Sequence, residues 1–315
     1  MRPPPIATLL VGTVAISSAA VLIVLTALPP EAIAVWRLGV TTLVFAPFAA
    51  RRARAELAAL DGRARLALLA GGVAFGLHFV WFPMGFTRTS YESTVLLLVS
   101  QPVMAAIVGA LFLGEAIKGS MLVSMALATS GLAILVWDDY HFRPEQLRGD
   151  AIVLASCVAI VTTRALARRL RQLLGFATYV CAISALGACV AGLGALARGV
   201  PLTRAESGAT EWIALALLLL VPTIGGHTVF HYVVKYVRVF HVNLVILAEP
   251  VIAIVMKHVL APWFEVFRGN ALTRAHWLGG ALLFGGVAIG LVLRDREEPR
   301  SAANGERTEL EGAVP

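Results

Sequence analysis

Charge is scarce in this chain. Lys, Arg, Asp and Glu together make up 14% of its 315 residues, against about 25% in soluble domains, and apolar residues rise to 58% against about 45–50%. That balance excludes a water-soluble globular domain. Cysteine is nearly absent too: Cys157, Cys181 and Cys189 fall inside apolar stretches with no CxxC spacing. A disulfide framework and a thiolate metal site are therefore not implied, and the three read as buried thiols. No phosphate loop is present, since the glycines from Gly187 to Gly194 have no lysine after them and no strand before them. The net charge of +7 lacks the interleaved aromatics of a nucleic-acid surface. Long polar connections are missing as well, so no soluble domain is inserted.

What the chain does have is apolar length. Ten stretches are long enough, at about 17–25 residues each, to cross a bilayer core as helices: 6–27, 32–49, 66–86, 93–113, 119–137, 151–167, 175–197, 212–234, 241–261 and 275–293. The first is too long for a signal-peptide core, and a second span follows at once after Pro29, Pro30 and Glu31, so it reads as a retained helix. The charged stretch 294–315 is expected to be a disordered tail. Sixteen Lys and Arg residues fall in segments on the side of the N-terminus, seven on the opposite side, and Arg37, Arg164 and Lys257 within spans. This bias places both termini in the cytoplasm of a multi-pass cell-membrane protein.

Pro102 and Pro250 sit near the centres of two spans, each preceded by a polar residue, Gln101 and Glu249, and lie 148 positions apart. A proline in a membrane helix removes a backbone hydrogen bond and frees the carbonyl four residues back, here those of Leu98 and Ile246. At the same offset Phe82 pairs with Phe230, Leu96 with Leu244, Val103 with Val251 and Ala105 with Ala253. Five spans per half is an odd number, so a repeated unit inserts upside down the second time. The expected architecture is an all-α membrane protein of ten transmembrane helices, in two inverted five-helix repeats (1–140 and 150–293) around a central cavity. Matched interruptions in such halves point to a transporter's binding site.

The run Pro29-Pro30-Glu31 then Ala34-Val35-Trp36-Arg37, the segment from Gln101-Pro102-Val103 through Leu113-Gly114-Glu115, Ala248-Glu249-Pro250-Val251 and the closing glycine-rich helix resemble the EamA-type branch of the drug/metabolite transporter superfamily. The resemblance spans residues 6–293. It implies two four-helix bundles around a cavity, peripheral spans 5 and 10, and transport of small organic solutes, often outward. The second half departs from the pattern, with Ala261-Pro262-Trp263 where the first has Leu113-Gly114-Glu115.

Glu249 is the foremost candidate for chemistry. A carboxylate at membrane depth costs several kcal/mol, about 2.5–3.5 on insertion scales for a comparable Asp, so it must face protein or a wet cavity. There it can exchange protons near neutral pH or simply lock its helix by a hydrogen bond. Gln101 at the equivalent depth can pack or line the pathway. His78, with Trp81 one turn on, and the i, i+4 pair His227 and His231 can pack helices, line a cavity or relay protons; no third ligand completes a metal site. Arg37, about six residues into its span, can grip a carboxylate or phosphate, snorkel outward or pair with Glu31. Arg164 reads as part of the basic run with Arg168 and Arg169, and Lys257 with His258 as snorkelling to the outer interface. The glycines of span 3 and of span 10 permit close helix packing or, for span 10, a homodimer.

The function expected is that of a secondary transporter, an exporter of small organic metabolites such as amino acids or drug-like solutes, working by alternating access without a cofactor. Its partners would be the solute, the lipid bilayer and protons, with no nucleic acid. The alternative is an intramembrane enzyme acting on a lipid-linked substrate through His227, His231 and Glu249, which requires those groups within hydrogen-bond reach of one another.

Overall fold

The computed structural model describes residues 5–113, 119–142, 144–203, 208–233, 248–268, 272–286, 288–289 and 292. Every regular element among them is helical, as hydrocarbon demands, since a helix satisfies its backbone groups within itself. Five helices are long and apolar enough to cross a membrane: α3 (Pro30–Ala49), α5 (Gly62–Arg88), α9 (Leu147–Leu173), α10 (Phe176–Ala197) and the run Ala209–Tyr232. The first and fourth expected stretches each hold a broken helix. The first holds α1 (Pro5–Ser17) and α2 (Ala19–Thr26), and the fourth holds α6 (Tyr91–Leu97) and α7 (Gln101–Leu113). Beyond them lie α8 (Gly119–Phe142), α13 (Ala248–Leu260) and a helix over 274–286. Gly114, Glu115, Ile246 and the tail 294–315 fall outside the described residues.

Side chains set the ends and the breaks. Asp61 caps α5 by accepting from Ala64 N at 2.7 Å, and Ser90 caps α6 by accepting from Ser93 N at 3.0 Å. Pro30 opens α3, where its missing N–H is no loss. Between α6 and α7 the chain tightens into a 3₁₀ turn, Leu98–Ser100, immediately before the Gln101-Pro102 pair. Gln101 N then bonds Leu98 O, the carbonyl that Pro102 leaves free, while Leu97 O accepts from Ser100 Oγ at 2.6 Å. In the run Ala209–Tyr232, α11 (Ala209–Leu218) widens into a π-helical segment, Leu219–His227, before α12 (Thr228–Val233). Pro222 lies inside it, and Leu218 O accepts from Thr223 Oγ1 at 2.6 Å. Nothing in the apolar periodicity marks this widening.

The core centres on α3, α5, α9 and α10, with Leu38, Phe75, Phe79, Ile160, Leu170, Tyr179 and Ile183 buried among them. Large apolar side chains on the outer faces, among them Leu43, Phe48, Leu66, Leu193 and Leu196, stay exposed. That pattern suits acyl chains as the solvent. Early helices pack on late ones: α5 and α7 pack on α9, and the π segment and α13 pack on α1.

Glycines permit the closest crossings. A Cβ at Gly76 of α5 would lie 2.7 Å from Gly187 O of α10, so backbone meets backbone there. In span 10, Gly279 and Gly286 meet α8. Gly286 lies against Ala128 of α8, and a Cβ at Gly131 of α8 would fall 2.5 Å from Gly279 O.

Gly76→Ala is expected to destabilise the purified protein by about 1–3 kcal/mol through overpacking. Gly192, also mid-helix but with open space around its Cβ direction, gives the control: Gly192→Ala should be neutral or stabilising by up to about 1 kcal/mol. Thermal or denaturant unfolding in detergent compares the two.

Candidate functional site

A polar cluster lies where helices from both ends of the chain meet. Arg37, on α3, is buried; its Nε donates to Thr223 Oγ1 at 2.8 Å, and its guanidinium carbon sits 4.3 Å from the centre of the Phe79 ring. The π segment brings Thr223 to that position, because its hydroxyl can donate back to Leu218 and accept from Arg37 together. Arg37 Nη2 is buried and has no hydrogen-bond partner among the described residues. Arg164, on α9, donates from Nη1 to Gln101 Oε1 at 2.6 Å. The tightened turn before Gln101 sets the amide in its path.

Glu249, at the start of α13, is buried and makes no hydrogen bond among the described residues. The charges acting on it are those of Arg164 and Arg37. The arginines' hydrogen bonds go instead to Thr223 and Gln101, so neither holds the carboxylate in the bidentate grip that satisfies such a pair best.

The histidines line the same region among aromatic rings. His78 Nδ1 lies 2.8 Å from Ser156 Oγ on α9, and its ring stacks on Phe82 at 5.9 Å. His227 packs 4.9 Å from the Phe79 ring and 6.1 Å from that of His78. His231 lies against Phe75 and Tyr179, at 5.3 and 5.4 Å. Its Nε2 and the Tyr179 hydroxyl are buried without partners among the described residues. His227 and His231 do share a face, both touching Phe75.

Of the residues singled out from sequence, Arg37, Gln101, His78, His227, His231 and Glu249 are brought together. Trp81 is not. It lines an apolar groove where α5 and α9 meet, beside Val73, Leu77 and Val158. Pro102 stands one residue past the start of α7, and Pro250 two past the start of α13.

Several expectations need correction. Arg37 neither snorkels nor pairs with Glu31, because Glu31 is taken by Arg198 at the end of α10. Arg164 turns inward to Gln101 instead of joining Arg168 and Arg169, since it sits a full turn deeper on α9. Lys257 does not snorkel. It is buried and paired with buried Glu92, beneath Tyr91, whose hydroxyl donates to Ala253 O at 3.0 Å. His258 does stay exposed. Arg171, counted among cytoplasmic basics, is buried and donates to Leu174 O at 2.8 Å and His231 O at 3.2 Å. Sequence reasoning missed the roles of Arg164, Thr223 and Ser156. The available signal was the depth of Arg164 in a span with no acidic residue one turn away to pair with it.

Residues 5–137 match the model of the EamA-like transporter family. A solved structure, described only as a crystal structure of a protein, superposes with a TM-score of 0.63 over 93% of this chain and 99% of its own length, at 17% identity. That likeness speaks to fold alone. No curated protein matches the sequence.

The Glu92–Lys257 pair yields a sharp expectation. Lys257→Met leaves a buried carboxylate without its cation and should lower stability by about 3–5 kcal/mol. The double variant Glu92→Leu with Lys257→Met should recover most of that loss. A double-mutant cycle by thermal unfolding checks it, and an additive double variant would show that the pair does not interact.

Proposed function

With residues 5–137 matching the EamA-like transporter family, we propose that the whole chain is a secondary transporter. It moves small organic metabolites, amino acids or drug-like solutes among them, outward across the cell membrane by alternating access. Ten spans in two inverted repeats, 1–140 and 150–293, enclose the site, with both termini in the cytoplasm. The observation that carries this reading is the polar cluster itself. Arg37 and Gln101 come from the first half, Arg164, Thr223, His227 and Glu249 from the second, in a bundle otherwise built to meet lipid. A membrane protein keeps such groups at depth for a pathway or a solute.

The exchange of interfaces between halves supports the inverted repeat, because α5 stands to α9 as the π segment stands to α1. In this reading the halves rock about the cluster while their breaks stay beside the solute. The Glu92–Lys257 pair ties α6 of one half to α13 of the other and would part when the outer side opens. Glu249 is the group placed to couple protons to the cycle.

Purified protein in liposomes, given a panel of labelled solutes with and without a pH gradient, should show saturable flux of at least one class. Glu249→Gln should keep saturable exchange and lose the response to the gradient. Solute leakage that never saturates contradicts transport; an unchanged gradient response in Glu249→Gln removes only the proton role.

A further inference from the structure

We propose that the transported solute carries an oxyanion, a carboxylate or a phosphate ester, that Arg37 and Arg164 hold it together, and that Glu249 is the resident anion it displaces. This rests on the transport reading and names the substrate class of its site. The argument begins with a charge imbalance. Arg37 and Arg164 lie on α3 and α9, with Arg37 at 2% exposure, and Glu249 is the one carboxylate among the described residues that acts on both. A guanidinium withdrawn from water needs a hydrogen-bonded anion to offset its desolvation, and the bidentate match is to a carboxylate or phosphate.

Among the described residues neither arginine has that match. Arg37 spends Nε on the Thr223 hydroxyl and leaves Nη2 buried without a partner among the described residues. Arg164 spends Nη1 on Gln101, a neutral amide. Glu249 is close enough to be felt by both yet bonded to neither. This is the arrangement of a counter-ion that can be exchanged, and an arriving oxyanion would complete what the protein leaves open. The rings beside the guanidiniums, Phe79 with Arg37 and Phe230 with Arg164, offer apolar and cation-facing surfaces for the solute's body.

The test uses full-length protein and four probes that share an apolar body: phenylacetate, phenyl phosphate, phenethylamine and phenethyl alcohol. Binding is read by thermal shift and by isothermal titration, first in phosphatidylcholine and then with phosphatidylglycerol added. At least one anion should stabilise the protein at millimolar concentration, while the amine and the alcohol should not. Arg37→Gln and Arg164→Gln should each weaken that anion about tenfold or more, the loss expected of a charge-assisted pair, and Glu249→Gln should tighten it. Arg37→Lys, which keeps charge without the fork, should fall between and shows that the site tolerates substitution.

Equal or better binding of the amine or alcohol overturns the proposal, as does failure of both anions, or anion binding unchanged in both arginine variants. Loss of anion binding on adding phosphatidylglycerol would assign the site to a lipid headgroup and also overturn it. Anion binding without flux in liposomes would sink the transport reading and leave the site. Saturable flux of neutral or cationic solutes alone would do the reverse.

Discussion

A guanidinium inside a bilayer is the constraint from which the middle of this molecule follows. Arg37 is buried and Arg164 half-buried, and their chain supplies a hydroxyl, an amide, aromatic faces and a carboxylate whose charge acts on both. Two of those partners, the hydroxyl and the amide, depend on a departure from regular helix. Thr223 reaches Arg37 from a π-helical segment, and Gln101 reaches Arg164 from just past a 3₁₀ turn. Irregular backbone at this depth persists because protein groups satisfy what it exposes: Leu97 O takes the Ser100 hydroxyl and Leu218 O takes that of Thr223. Site and scaffold are thus one arrangement, with the breaks needed by the arginines and the arginines stabilised by the breaks.

Much of the scaffold was legible in the sequence because lipid leaves so few options. Apolar length marked the spans around α3, α5, α9, α10 and Ala209–Tyr232. Pro102 marked the interruption between α6 and α7, although the carbonyl it frees, Leu98 O, finds its partner in the 3₁₀ turn itself. The counterpart at Pro250 has its upstream carbonyl, Ile246, outside the described residues. The π segment could not be read, since Pro222 alone signals only some kink and the choice between a kink and a widened turn lies in how Thr223 is engaged from α3.

Charge was legible by location and illegible by direction. Positive-inside counting places Arg171 on the cytoplasmic side and proximity joins Arg164 to the run of Arg168 and Arg169, yet helical turning sends Arg164 to Gln101 and Arg171 to the carbonyls of Leu174 and His231. Lys257 likewise stands near a span's end, and only the arrival of α6 with Glu92 makes burial better than snorkelling. Partners far apart in sequence decide these cases. Gln101, Glu249 and the histidines stand out in the sequence because a polar residue deep in an apolar run is conspicuous without any partner known. Trp81 was drawn in by its spacing from His78, and the turn of α5 carries it instead toward the groove beside Val158.

The central claim is that this cluster faces a space water and solute can enter. Membrane-impermeant thiol labelling tests it most directly, on single cysteines placed at Gln101 and at Thr223 after Cys157, Cys181 and Cys189 are replaced by alanine. The account predicts that both sites react in intact liposomes and are protected by a transported solute, while a cysteine at the exposed, lipid-facing Leu193 stays inert. Silence at Gln101 and Thr223, under conditions where a loop cysteine labels fully, would contradict it.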